Sequence, residues 1–280
     1  MRLLHGGRSR VTGITIVLLT FIAKIDTGES ISLNFPQRTN KAISTRATDS
    51  GTSYSQITGI EGNLDIWHYC TTYNSDAETT ACAAANGDGF EQLTTITGRL
   101  LFNYANRLQH IRMFPLLKSV GGILEIGTQQ FDKLVSLDGL TNLDAVGGLR
   151  LHGLPAMASL NGLQNLRMCN GDFYISGLKA LKDSHTLSAL STITGKLDVH
   201  NNYPGLLSLD FLPSSVTISG AISISGNRNL CQYKVENFCA VAGRTCSGSF
   251  FMNKVCNRPV GVAVSPSVTP TTYVGGLSLP

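Results

Sequence analysis

The chain has 280 residues, of which 42% are hydrophobic and only 14% are charged. That is enough apolar material for one full-sized core, and it excludes wholesale disorder. The 29 glycines exceed the usual share of about 7%, and without a Gly-x-y period they mark turns rather than collagen. The formal charge of +4 owes three of its units to Arg2, Arg8 and Arg10. If these leave with an N-terminal leader, no nucleic-acid footprint remains.

The apolar run from Val11 to Ala23 follows those arginines and is closed by Lys24. This is the layout of a secretory leader or signal anchor over residues 1–28. The run is too short to span a bilayer unaided. Phe21 and Ala23 make a poor cleavage site, so an uncleaved N-terminal anchor is the one membrane attachment expected. Residues 29–56 read as a Ser/Thr-rich linker and residues 258–280 as a Pro/Ser/Thr-rich tail. The tail lacks the apolar stretch of a lipid-anchor signal, and no Asn-x-Ser/Thr sequon occurs.

Between these tails, one phrase recurs: apolar-x-Gly-x-apolar-x-apolar. It appears at Ile60 (IEGNLDI), Ile96 (ITGRLLF), Val120 (VGGILEI), Cys169 (CNGDFYI), Ile193 (ITGKLDV) and Ile218 (ISGAISI), with a copy one residue shorter at Val146 (VGGLRL). Its glycines, Gly62, Gly98, Gly122, Gly148, Gly171, Gly195 and Gly220, are separated by 36, 24, 26, 23, 24 and 25 residues. Apolar residues six and three positions upstream lock to most copies: Phe90 and Leu93, Phe114 and Leu117, Leu140 and Leu143, Leu163 and Leu166, Leu187 and Leu190. A spacing of three cannot continue a strand's period of two, so the chain must corner between these segments.

Each unit therefore reads as short strand, turn, short strand and a three-spaced apolar stretch, closing one coil of a parallel β-solenoid. The fold expected is an all-β solenoid of about seven coils over residues 57–230, each coil about 4.8 Å from the next. The glycines mark corners that need either an unusual conformation or clearance from a Cβ. Leu64 and Ile66, Leu100 and Phe102, Leu124 and Ile126 and their equivalents point inward.

The phrases IEGNLDI, FPLLKSVGGILEI, LVSLDGLTNLDAVGGLRL and ISGAISISGNRNLC resemble receptor L domains. These are the Leu-rich right-handed β-helix modules of insulin-type and epidermal-growth-factor-type receptor ectodomains, with relatives in lipid-anchored fungal cell-wall proteins. The resemblance covers about residues 57–231. It implies a right-handed, leucine-rich-repeat-like solenoid and carries no catalytic motif. A second L domain, a furin-like Cys-rich module and a kinase all lack counterparts here, so a signalling receptor is not implied.

All seven cysteines lie beyond the leader, which fits an oxidising compartment and a secreted or cell-surface protein. Cys70 and Cys82 fall in the one long interval, where a disulfide closes the extra loop. Cys231, Cys239, Cys246 and Cys256 follow the last coil as two bridges of a C-terminal cap over residues 231–257. Three pairings are open for these four. Their spacings match no usual zinc site, and no metal or cofactor is expected. Cys169 takes an inward position as a buried thiol.

Two outward rows form the natural recognition surface. One is Asn63, Arg99, Ile123, Asp172, Lys196 and Ala221; the other is Asp65, Leu101, Glu125, Arg150, Tyr174, Asp198 and Ser223. Lateral ion pairs are expected between Glu125 and Arg150 and between Asp172 and Lys196. The ligand-binding candidates are Arg99, Leu101, Ile123, Glu125, Arg150 and Tyr174, where charged groups mix with exposed apolar and aromatic ones. An enzyme reading rests on Asp172 and Asp198 as paired carboxylates. His152 and His200 stand two coils apart, about 10 Å, too far for one metal. Trp67, His68 and Tyr69 cluster at the end of the first strand. The expected function is non-catalytic recognition of a protein or glycan at the cell surface, with a structural cell-wall or matrix role as the rival.

Overall fold

A computed structural model describes residues 31–34, 57–67, 90–105, 108–127, 131–182, 185–241, 244–246 and 253–257. The leader, the C-terminal tail, Cys70, Cys82, His68 and Tyr69 lie outside the described residues.

Each glycine phrase folds into two short strands. The first strands are β2 (Gly59–Ile60), β4 (Thr95–Ile96), β8 (Met168–Cys169), β10 (Thr192–Ile193) and β12 (Thr217–Ile218). The second strands are β3 (Leu64–Trp67), β5 (Leu100–Asn103), β9 (Phe173–Ser176), β11 (Leu197–His200) and β13 (Ala221–Ser225). In two copies the pair fuses into one longer strand, β6 (Ser119–Ile126) and β7 (Ala145–His152). β1 (Ile31–Asn34) and β14 (Thr245–Cys246) lie at the two ends. Second strands pair in the order β1-β3-β5-β6-β7-β9-β11-β13-β14, while first strands stack alongside.

All these pairings are parallel and keep the phrase in register: Leu100 faces Leu124, Leu124 faces Leu149, Leu149 faces Phe173, Phe173 faces Leu197 and Leu197 faces Ile222. The protein is therefore a β-solenoid with little helix, and its turns number about five rather than the seven expected. Seven phrases bound only six intervals, and the first of these runs through residues outside the description. β1 also departs from expectation, because it lies within the span read as linker. Ile31 and Leu33 alternate with Ser32 and Asn34, a strand's period, and β1 pairs with β3.

The three-spaced apolar stretches are chains of tight turns. In each, an amide donates to the carbonyl three residues back: Leu93 to Phe90 (3.1 Å), Leu117 to Phe114 (3.2 Å), Leu143 to Leu140 (2.9 Å), Leu166 to Leu163 (3.0 Å) and Leu190 to Leu187 (2.9 Å). Such a turn returns the side chain to the same face every three residues. Phe131, Leu134, Leu137, Leu140 and Leu143 thus all point inward and are fully buried. In the last turn Ser215 breaks the spacing, and Val216 donates instead to Pro213 O (3.1 Å), so the buried position moves by one residue.

The corner glycines stack in a column because the coils touch there. Gly98 donates to Gly62 O (2.8 Å), Gly122 to Gly98 O (2.8 Å), Gly195 to Gly171 O (3.0 Å) and Gly220 to Gly195 O (3.1 Å). A Cβ on Gly195 would sit 2.4 Å from the Gly171 carbonyl carbon, so clearance decides the residue here. The short copy needs a correction: Gly147, not Gly148, fills the column, because a Cβ on Gly171 would meet Gly147 O at 2.2 Å. One residue is missing between Val146 and Leu149, which shifts the register between β6 and β7 at that point.

A second column lies just past the second strands, where no single residue type repeats in the sequence. Gly153, Gly177, Asn201 and Gly226 all adopt positive φ, between 57° and 72°, a conformation open to Gly and tolerated by Asn. The position after it is Leu154 and Leu178 in earlier turns, then Asn202 and Asn227. These two, with Asn253, form a buried stack. Asn202 Nδ2 donates to Ile175 O (3.3 Å), Asn227 Nδ2 to Val199 O (2.9 Å) and Asn253 Nδ2 to Ile224 O (2.9 Å). Their Oδ1 atoms accept from the amides of Leu178, Asn202 and Asn227.

The C-terminal end is covered by α1 (Gln232–Cys239) and by β14, which pairs with β13. Of the three open pairings, the structure forms Cys231–Cys256 and Cys239–Cys246. Arg244 fastens this cap to the last turn, donating to Phe238 O (2.6 Å), Ser214 O (2.9 Å) and Val216 O (3.2 Å). Its guanidinium carbon lies 3.9 Å from the Phe238 ring centroid. Cys169 is buried and free, and burial pushes its thiol pKa up, away from reactivity.

Candidate functional site

The outward side chains of the second strands form one continuous face, because residues two apart in a strand share a side and parallel register repeats them from coil to coil. Glu125, Arg150, Tyr174, Asp198 and Ser223 occupy one row. His152, Ser176, His200 and Ser225 occupy the next.

At the N-terminal end of the face, Arg99 bridges sideways to Asp65 through both forks, Nε to Oδ1 (2.8 Å) and Nη2 to Oδ2 (2.6 Å). Those hydrogen bonds outweigh desolvation and raise the pKa of the guanidinium further. Asp65 lies directly beside Leu101 in the register, so the Arg99–Asp65 pair flanks that leucine. Leu101 is only 6% exposed, which corrects its reading as an exposed apolar contact. Ile123 is half-buried at the corner of β6.

The middle of the face is a connected polar cluster. Glu125 Oε1 lies 3.2 Å from His152 Nε2. The Tyr174 ring stands edge-to-face with His152 (centroids 6.0 Å apart) and with His200 (4.9 Å). The Tyr174 hydroxyl lies 3.1 Å from His200 Nε2, and His200 Nδ1 lies 3.0 Å from Asp198 Oδ1. Lys196 Nζ donates to Asp198 Oδ2 at 2.6 Å. Burial would push the Asp198 carboxyl up, but the hydrogen bonds and charges of Lys196 and His200 overcome it and hold its pKa below the usual carboxylate range.

Neither lateral ion pair takes the expected form. Glu125 bonds His152 rather than Arg150, whose side chain is exposed and has no acidic partner among the described residues. Asp172 Oδ1 accepts from the backbone N–H of Lys196 (2.9 Å), while the Lys196 ammonium turns to Asp198. Asn63 does the same work one end earlier, accepting from Arg99 N (2.8 Å). A polar residue after the corner glycine thus supplies an acceptor to the next coil.

Of the six ligand-binding candidates, Glu125 and Tyr174 belong to the cluster, Arg150 stands beside Tyr174 in the register, Arg99 is held by Asp65, and Leu101 and Ile123 stand outside it. His152 and His200 carry no ligand-binding signal of their own in the sequence, but the outward period, extended by two from Arg150 and Asp198, reaches both. Among the described residues no group of three or more His, Cys, Asp and Glu side chains is placed to hold a metal ion. No helix among them is long and apolar enough to cross a membrane. No protein-family model, curated protein or solved structure matches the chain.

Proposed function

We propose that this is a non-catalytic recognition protein, secreted or held at the cell surface, built on a right-handed solenoid of the receptor L-domain type. Its ligand is a protein or glycan bound on the outward face of the second strands. The observation that carries this reading is the cluster around Tyr174. A solenoid with a purely structural role needs only solvated side chains on this face, whereas here imidazoles, carboxylates and a tyrosine are fixed by mutual hydrogen bonds on a rigid sheet, the arrangement that lowers the entropic cost of binding. Two disulfides support an oxidising compartment.

Asp198 favours recognition over polysaccharide cleavage. Its carboxyl is kept ionised by two donors, the opposite of the raised pKa that a general acid requires. The test is a pull-down and titration with the soluble chain against cell-surface glycan and protein fractions. Saturable binding that Tyr174→Ala abolishes supports recognition. Retention only in insoluble wall material, unchanged by that substitution, replaces it with the structural role. Sugar release that Asp172→Asn stops would establish the enzyme.

A further inference from the structure

Resting on that reading of the face, we infer that the Tyr174 cluster is a proton-gated site for an acidic glycan, one whose sugars carry carboxylates. Asp198 is ionised and can only accept, so His200 Nδ1, 3.0 Å away, must carry its proton in both charge states of the ring. Nε2 is then an acceptor when the imidazole is neutral and a donor when it is charged. Its partner, the Tyr174 hydroxyl at 3.1 Å, must reverse in step. With neutral His200 the hydroxyl proton is spent on Nε2 and the tyrosine offers solvent only lone pairs. With charged His200 the hydroxyl oxygen accepts, and its proton is released toward the face. One protonation thus converts the centre of the site from acceptor to donor.

The surrounding charge changes in the same direction. The groups facing His200 are Asp198 on β11, Lys196 just before it, Tyr174 and the neutral Ser176 on β9, and the neutral Ser225 on β13. Those facing His152 are Glu125 on β6, Arg150 on its own strand, and Tyr174 and Ser176 on β9. With both imidazoles neutral, Arg150 and Lys196 stand against Glu125, Asp172 and Asp198, one negative charge in excess. With both charged, the excess is one positive charge. Arg150 is the anchor: exposed, unclaimed by any described carboxylate, and next to Tyr174 in the register. Its planar fork takes a carboxylate through two parallel bonds.

A glycan fits better than a peptide because the surroundings of Tyr174 on this face are polar among the described residues. Among the described residues, the exposed large hydrophobics, such as Leu116, Met168 and Leu207, lie off the second strands. Protein partners are held chiefly by buried aromatic and aliphatic anchors. The rows here continue instead into the hydroxyls of Ser176, Ser223 and Ser225, which suit sugar hydroxyls.

The experiment measures affinity of the full chain for oligogalacturonate and for its methyl ester, at about pH 5 and about pH 8, the two sides of histidine titration, and at constant salt. Uronate carboxyls stay ionised at both. The expected result is binding of the free acid at least about tenfold tighter at the lower pH, with the ester weak at both. His152→Gln with His200→Gln separates these two imidazoles from the chain's remaining histidines: the pair of substitutions should flatten the pH dependence and leave the weak, high-pH affinity. Arg150→Gln should weaken acid binding at both pH values. Should the double variant not fold, the comparison of acid with ester on the unaltered chain still decides. Equal affinity at both pH values, equal binding of ester and acid, or tighter binding of polyglutamate than of oligogalacturonate each overturns the proposal. Saturable binding of a neutral glycan alone, lost in Tyr174→Ala, overturns it while leaving recognition intact.

Discussion

Replacing Asn227 with alanine isolates the buried asparagine stack. Asn227 Oδ1 accepts from the Asn202 amide (2.9 Å) and Asn202 Nδ2 (3.2 Å), while its Nδ2 donates to Val199 O (2.9 Å). Both asparagines are 0% exposed, so water cannot replace these partners. Alanine orphans the Asn202 N–H and removes the side-chain donor to Val199 O, which the β11–β13 pairing still engages; the Asn202 side chain keeps Ile175 O. The orphaned buried N–H costs about 1–3 kcal/mol and each of the other two lost bonds about 1 kcal/mol, giving a loss of about 3–5 kcal/mol, a large fraction of a typical domain's stability of about 5–15 kcal/mol. Asn229→Ala is the control, because it removes one exposed bond to Pro204 O (2.7 Å) and costs about 1 kcal/mol or less. Urea denaturation of the oxidised protein, read with a shared m-value, measures both. Since a solenoid's stability is roughly a sum over neighbouring turns, hydrogen exchange in the Asn227 variant should accelerate first in β11 and β13. Equal losses for the two variants would refute this reading of the stack.

Further substitutions test the coil contacts, the electrostatics and the cap. Gly195→Ala places a Cβ against backbone at 2.4–2.5 Å and should cost about 1–3 kcal/mol by thermal melting. At Gly59 the nearest atom is the Thr95 hydroxyl at 3.2 Å, so Gly59→Ala should stay within about 0.5 kcal/mol. The Asp198 carboxyl is held below its unfolded value, so its stabilisation is fully present above about pH 4 and is lost as pH falls through the lowered folded value. Asp198→Asn should therefore lower Tm at neutral pH and reduce its fall toward acid, as a series of melts would report. Cys231–Cys256 spans 25 residues and Cys239–Cys246 only 7. Loop entropy then predicts about 3.5 and about 2.4 kcal/mol, an order checked by paired Cys→Ser variants.

The repeat grammar made the inward residues, the corner column and the register legible, because glycine clearance and period-two alternation are properties of the local sequence. It did not identify the turn chains. Spacing by three signals a corner, but only the hydrogen bonds from Leu117 to Phe114 and its equivalents reveal one tight turn after another. The VGG of the short copy offered two glycines, and choosing Gly147 over Gly148 required the pairing of β6 with β7. The asparagine stack hid because its position holds Leu154 and Leu178 in the earlier turns, so no single residue type repeats. Leu101 is buried although it points outward, because alternation gives the direction of a side chain and not what stands beside it; here its register neighbour is Asp65, held by Arg99. The same limit applies to Glu125, whose partner two residues beyond the register neighbour, His152, depends on side-chain conformation.

Scalar couplings transmitted through hydrogen bonds, from each amide nitrogen to its acceptor carbonyl carbon in uniformly labelled protein, test coil stacking most directly. The amides of Gly98, Gly122, Gly195 and Gly220 should couple to the carbonyl carbons of Gly62, Gly98, Gly171 and Gly195 respectively. Amides that exchange freely with solvent at these glycines, or couplings to carbonyls only a few residues away, would contradict the solenoid and the face built on it.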